Sequence, residues 1–380
     1  MPIPFLKPLE RYIRKVLIRS RSTFTGSMIS DASEAIPLSE TPRILIIRPD
    51  KLGDMLITLP TIKAIRDAYP KARIDVLAGK VNLPLREQLL HYVDDCLLYD
   101  KTLAGIFGLY RSLPKNQYDI AIDPMDNPST TSGLLIRMSK AKHTVGIYKS
   151  NAHVYTHCVV PKDRKHIHIV ERTAQVFLAL GVNPEAISLS IPYHLDTELI
   201  ESSQRALLLA GVNLSKPLIM INIAGALDYR VLNPEKTISW IQSIQSTIED
   251  QGIQIMVCGE KKHADSLKYI SSHTNTLTAP FVDSYNAFAG LLAGSSMVIS
   301  PDTSVLHLIS AFTIPCLAFF VEDNSGTMVW KPYQSPCEYI VTKGPTVNDI
   351  PSHEIVNAFH ALHSRTAYAS VQEQYQHLQG

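Results

Sequence analysis

In the stretch RPDKLGDMLITLP (48–60) the carboxylate of Asp54 follows Gly53, with Arg48 and Lys51 upstream. An aspartate just before an apolar helix can do two different things. It can cap the helix by accepting backbone N–H bonds, worth about 1 kcal/mol, or it can take a proton from a substrate hydroxyl. A second group lies in SPDTSVLHL (300–308), where Asp302, Thr303 and Ser304 crowd a helix start and His307 follows on the same face. Free amides and the helix dipole attract anions there, so the pattern fits plain capping with a half-buried histidine, or a bound diphosphate. Asp302 would repel a diphosphate beside it, so its use is in holding amides or a sugar hydroxyl. The third group is NIAGALDYRVLNPE (222–235), in which a Gly225-Ala226 turn exposes amides ahead of Arg230. A guanidinium matches phosphate oxygens bidentately; a solvated loop arginine is the plain alternative. In VCGEKKH (257–263), Glu260 ends the next strand, where a carboxylate can accept ribose hydroxyls or simply lie on the surface.

The elements around these residues alternate. RILIIR (43–48) is a short β-branched run of the kind that fills the centre of a parallel sheet. DMLITLPTIKAIRDAYP (54–70) then sets Leu56, Leu59, Ile62, Ile65 and Tyr69 at helical spacing, and ARIDVLAG (72–79) is again a strand. A strand, helix and parallel strand leave Asp54 at the carboxyl edge of the sheet, where open α/β sheets hold ligands. Strands are expected at DCLLYD and YDIAID, with helices at TTSGLLIRMSKA and HIVERTAQVFLALG. SIPYHLDTEL breaks the rhythm, and a second alternation starts at KPLIMINIAG and runs to PCLAFFV. The expected organisation is a basic N-terminal arm and linker (1–40), an α/β domain (41–195), a second α/β domain (196–345) and a helical tail (346–380). With two such domains, a site between them is the default.

Composition narrows the classes. The 380 residues are 45% hydrophobic and 19% charged, which is a folded chain. A net charge of +1 gives no global argument for nucleic acid. The charge is uneven: residues 1–22 carry six basic side chains against Glu10, and FLKPLERYIRKVLIRSR has the apolar stripe of a basic amphipathic helix. Such a helix suits an anionic membrane surface, or docks on its own domain or a partner. Five scattered cysteines offer neither a disulfide framework nor paired metal spacing, so a reducing cytoplasm is expected. No signal peptide and no run of about 18 apolar residues is present. The G-x-G-x-x-G, G-x-x-x-x-G-K-[ST] and G-x-S-x-G patterns are absent, which disfavours nicotinamide or flavin enzymes, P-loop NTPases and α/β-hydrolases. There is no Asp-x-Asp pair, and His166 and His168, with only Glu171 nearby, are expected to be surface or interdomain histidines.

RILIIRPDKLGDMLITLPTIKAIRDAYPKARIDVLAG resembles the opening of glycosyltransferase family 9, the ADP-heptose:lipopolysaccharide heptosyltransferases. GSSMVISPDTSVLHLISAFTIPCLAFF resembles that family's second signature, IAGALDYR its donor loop, and VWKPYQSP its Trp/Tyr-Pro segment. The resemblance runs from about residue 43 to 340 and implies a GT-B fold, two Rossmann-like domains facing across a cleft. It implies an inverting transfer of heptose from ADP-heptose to a lipopolysaccharide core hydroxyl, with no metal and no other cofactor. By the same resemblance Asp54 is the general base, with Lys51 and Gly53 on the acceptor side. Gly225, Ala226, Arg230, Glu260, Asp302, Thr303, Ser304 and His307 are then the donor-binding residues. Arg230 stands where the family usually has lysine, Ser304 replaces its glycine, and Gly225 and Ala226 replace hydroxyl residues. The resemblance implies a nucleotide-sugar donor and a lipid-linked glycan acceptor as partners; the basic stripe of residues 1–22 adds an anionic membrane surface, and the near-neutral net charge gives an expectation of no nucleic acid. The implied place is the cytoplasm, peripheral on the inner face of a Gram-negative inner membrane.

Overall fold

A computed structural model describes residues 23–249, 251–323 and 328–379. The expected basic amphipathic helix in residues 1–22 lies outside the described residues. The chain forms two compact units that divide between Leu189 and Ser190.

The first unit contains an all-parallel sheet of β1 (Ser27–Ile29), β2 (Arg43–Arg48), β3 (Arg73–Gly79), β4 (Asp95–Tyr99), β5 (Ile120–Asp123), β6 (His143–Ile147) and β7 (His157–Val159). Their order across the sheet is β1-β7-β6-β5-β2-β3-β4. β2 is central, with Ile44 opposite Ile74 on one side and Ile120 on the other. Covered on both faces, it must be apolar at successive positions, and residues 44 to 47 are all fully buried. From β2 the order runs to β3 and β4 on one side and to β5, β6 and β7 on the other. The connections therefore diverge between β2 and β5, and a crevice opens at the carboxyl ends of these strands.

The second unit repeats this logic with β8 (Leu218–Asn222), β9 (Gln254–Cys258), β10 (Leu277–Thr278), β11 (Met297–Pro301), β12 (Cys316–Val321) and β13 (Cys337–Thr342). The order is β10-β9-β8-β11-β12-β13, again all parallel, with the reversal between β8 and β11.

Two local differences from the sequence reading have physical causes. The single helix expected after Asp54 is two, Leu52–Leu56 and Leu59–Ala68. Pro60 lacks an N–H and is suited to a first turn, so it restarts the helix; Leu56, Leu59, Ile62 and Ile65 all remain fully buried. The described part of the expected arm and linker (1–40), from residue 23 on, is ordered. β1 pairs with β7, the Ile36 amide donates to the Ala179 carbonyl at 3.0 Å, and Ile29 and Ile36 are buried. Its Ser, Asp and Glu residues serve caps: Asp31 accepts from the Ser33 amide at 2.8 Å, and Glu34 accepts from the Ser30 amide at 2.6 Å. Near the chain's end, helix Ser352–His363 buries Ile355, Phe359 and Leu362, and Val371 and Tyr375 are fully buried in the core of the second unit. The Tyr375 hydroxyl donates to the Gly290 carbonyl at 2.8 Å.

Candidate active site

In the first unit the β2–helix junction is built around Arg48, a guanidinium only 3% exposed. Its Nε donates to the Asp54 carbonyl at 3.0 Å and its Nη1 to Asp50 Oδ2 at 3.3 Å, while Nη2 lies 3.6 Å from Asp54 Oδ1. Asp54 is not the first cap of its helix but sits inside the first turn, where Oδ2 accepts the Lys51 amide at 3.2 Å. The capping and charged roles are thus divided between its two oxygens, and a carboxylate has about four lone-pair sites to serve them. The exposed Lys51 contributes its backbone here, and the Gly53 carbonyl accepts from the Ile57 amide. Asn82 holds the junction by donating to the Arg48 carbonyl at 2.9 Å. Gly79 makes room for it: a Cβ there would lie 2.5 Å from the Pro49 carbonyl oxygen.

Across the switch point, at the end of β5, Asp123 is fully buried. It bonds to Lys149 Nζ at 3.0 Å and the Tyr155 hydroxyl at 2.6 Å. Burial drives the Tyr155 phenol well above its ordinary range, and the neighbouring Asp123 charge adds to it. Burial also pushes the Asp50 carboxyl up to about 6; Asp54 and Asp123 push the same way, against Arg48 and Lys149. Asp50, Asp123 and Lys149 were missed in the sequence. The available signal was an acidic residue ending the strand YDIAID, but nothing local says that this strand lies beside β2.

In the second unit the loop after β8 and the end of β11 meet. Arg230 Nη1 lies 2.7 Å from Asp302 Oδ2 and donates to the Asp302 carbonyl at 3.3 Å. Each side chain is one-quarter exposed, so the pair is reachable from solvent. The Arg230 guanidinium also lies over the Tyr229 ring, 5.4 Å from its centroid. Gly225 lets the turn fold back on Arg230, since a Cβ there would lie 2.6 Å from Arg230 backbone. Ala226 beside it is exposed. Asn222 and Ser300, also missed in the sequence, brace the two strand ends: Asn222 donates to Ser300 Oγ at 3.0 Å and accepts from the Ala224 amide at 3.1 Å.

The remaining expected donor residues divide. Thr303 Oγ1 accepts the Val305 amide at 3.2 Å, and Ser304 precedes the short helix Val305–Ala311. His307 is buried on that helix, its ring 6.3 Å from the Trp330 ring. Glu260 stands one strand further along the edge, after β9, with its exposed carboxylate on Lys262 at 2.9 Å. His168 is buried and accepts from the Val170 amide at 3.3 Å, whereas His166 is exposed and pairs with Asp163. Among the described residues no cluster of three His, Cys, Asp or Glu side chains could hold a metal ion.

The Tyr285 hydroxyl is buried, with the Ser304 side chain beside it. Burial raises the Tyr285 phenol, and Ser304 opposes that rise. A Ser304 side chain engaged with Tyr285 is not expected to narrow or to ligate a diphosphate site. Ser304→Gly should therefore leave ADP affinity within about threefold, or ~0.7 kcal/mol. Titration calorimetry checks this, and a loss of about tenfold or more, ~1.4 kcal/mol, would make the hydroxyl a phosphate ligand.

Two parallel α/β units, each with a charged site at its switch point, give the layout of a two-domain glycosyltransferase of the GT-B fold class. The chain belongs to glycosyltransferase family 9 (heptosyltransferase), whose family model matches residues 106–349. That span contains Arg230, Asp302 and His307 and begins after Asp54. Lipopolysaccharide heptosyltransferase 3 of Escherichia coli is 23% identical over 304 residues, covering 74% of this chain and 82% of that protein. Among solved structures, a family 9 glycosyltransferase from Veillonella parvula superposes with a TM-score of 0.69 at 18% identity, over 85% of this chain and 99% of the other. The Escherichia coli heptosyltransferase WaaC, solved with ADP, gives a TM-score of 0.63 at 18% identity, over 86% of this chain and 99% of that one.

Proposed function

We propose that the protein is an inverting, metal-independent glycosyltransferase that moves a heptose or related sugar from ADP-heptose to a hydroxyl of a lipopolysaccharide core or similar glycan. The observation that supports this reading is the Arg230–Asp302 pair at the switch point of the second unit, a guanidinium fixed at the strand ends and reachable from solvent. Membership of family 9 and the ADP held by WaaC support an ADP-sugar as that anion's source. In the reaction the acceptor oxygen bonds to the anomeric carbon on the face opposite ADP. The bond from that carbon to the diphosphate oxygen breaks, and the hydroxyl proton passes to Asp54. Arg230 and the Thr303 and Ser304 amides meet the charge that develops on the leaving diphosphate, which is the role a metal fills in other transferases. Arg48 and the Lys51 amide occupy only part of the lone-pair capacity of the Asp54 side chain, which leaves room on it for the acceptor hydroxyl. A lipid-linked acceptor puts the work at the inner face of a Gram-negative inner membrane, with residues 1–22 as the basic contact. Among the described residues no helix is long and apolar enough to cross a membrane.

The test is ADP release with ADP-heptose and a panel of truncated lipopolysaccharide cores, against UDP- and GDP-sugar controls. Release that needs both ADP-heptose and an acceptor is expected. Donor binding without release for any acceptor would make the protein a binding relative, and conversion of donor with no acceptor would make it an epimerase.

A further inference from the structure

Arg48 is one buried cation between two carboxylates, with Nη1 on Asp50 at 3.3 Å and Nη2 facing Asp54 at 3.6 Å. Asp50 follows β2 by two residues and is 23% exposed, in a loop held by Asn82 and by the absence of a side chain at Gly79. Next to it the Asp123–Lys149 pair is almost wholly buried, with Tyr155 on the same carboxylate. Three carboxylates and two cations therefore meet at this switch point, and full ionisation leaves an excess of one negative charge.

We propose that Asp50 is a positioning residue for the base: it shares Arg48 with Asp54 and thereby sets how strongly Asp54 attracts the acceptor proton. The inference rests on the reading of Asp54 as the base. When Asp50 is protonated, the Arg48 charge falls on Asp54 alone and weakens it as a proton acceptor. When Asp50 is ionised, it draws on Arg48 and adds its own field, and Asp54 becomes more basic. The groups that face Asp50 decide where this change falls. Arg48 on β2 and Lys149 after β6 favour the anion; burial, Asp54 on the first helix and Asp123 on β5 oppose it and prevail, so the change falls at about pH 6. Since the folded-state value lies above the ordinary one, the stability Asp50 contributes is complete below its ordinary value and is lost as pH rises through about 6.

The experiment compares wild type, Asp50→Asn, Asp50→Glu and Asp54→Asn by single-turnover ADP release across pH, together with infrared titration of the protein without substrates. The wild-type rate should rise through about pH 6, and a carboxylic-acid carbonyl band should vanish over the same range. Asp50→Asn should lose both the band and that limb of the profile. At pH 8 its turnover should be about three- to tenfold lower, with ADP affinity and acceptor KM within about threefold. Asp50→Glu should restore the limb. An Asp50→Asn enzyme that keeps the limb, or keeps the infrared band, overturns the proposal; so does a wild-type protein with no such band, which needs no variant to fold. If Asp54→Asn turns over normally, the underlying base reading has failed instead.

Discussion

Replacing Asp54 with asparagine should lower turnover by about a hundredfold or more while ADP affinity stays within about threefold, ~0.7 kcal/mol. The asparagine carbonyl can still accept the Lys51 amide, which Asp54 Oδ2 now does at 3.2 Å, so the short helix keeps its first-turn bond. The Arg48 guanidinium keeps its bonds to the Asp54 carbonyl and to Asp50. What disappears is a group that can take a proton at neutral pH. ADP affinity is spared because the donor is assigned to residues of the second unit. Single-turnover ADP release, donor affinity by calorimetry and circular dichroism for folding make the comparison. A folded variant with near-normal turnover would return Asp54 to the role of a helix-capping residue.

Arg230→Ala should fail differently, losing donor affinity and turnover together. A charge-assisted bond is worth about 1.5–3 kcal/mol, so ADP should bind roughly 10- to 150-fold more weakly. The loss should lie at the upper end of that range, because Asp302 pairs with Arg230 at 2.7 Å and its negative charge would stay beside the diphosphate once the arginine is gone. Adding Asp302→Asn to Arg230→Ala should therefore recover part of the affinity. Such recovery marks the two as a coupled pair in a double-mutant cycle. If Arg230→Ala binds ADP like wild type, the arginine is a structural partner of Asp302 and the diphosphate is held elsewhere.

Most of the strand–helix alternation was legible locally. β2 is flanked by strands on both sides and covered on both faces, so its burial is written as an unbroken apolar run, and the same holds for β8, β11 and β12. The positions of Asp54, Arg230 and Asp302 at strand-to-helix junctions were likewise legible, because the carboxyl edge of a parallel sheet is where the chain turns and leaves amides and side chains facing outward. Short or composition-neutral pieces were not. The three-residue β1 is too brief to show a period, and its Ser, Asp and Glu neighbours serve equally as caps or as linker. Tertiary structure alone decided which charges meet. Arg230 reaches Asp302 across 72 residues of chain, and Asp50 and Arg48 share their surroundings with Asp123 and Lys149, because β8 lies beside β11 and β2 beside β5. Local periodicity reports how one element is buried. Strand order is set by nonlocal pairing, and that order turns separate acidic and basic residues into two charged sites.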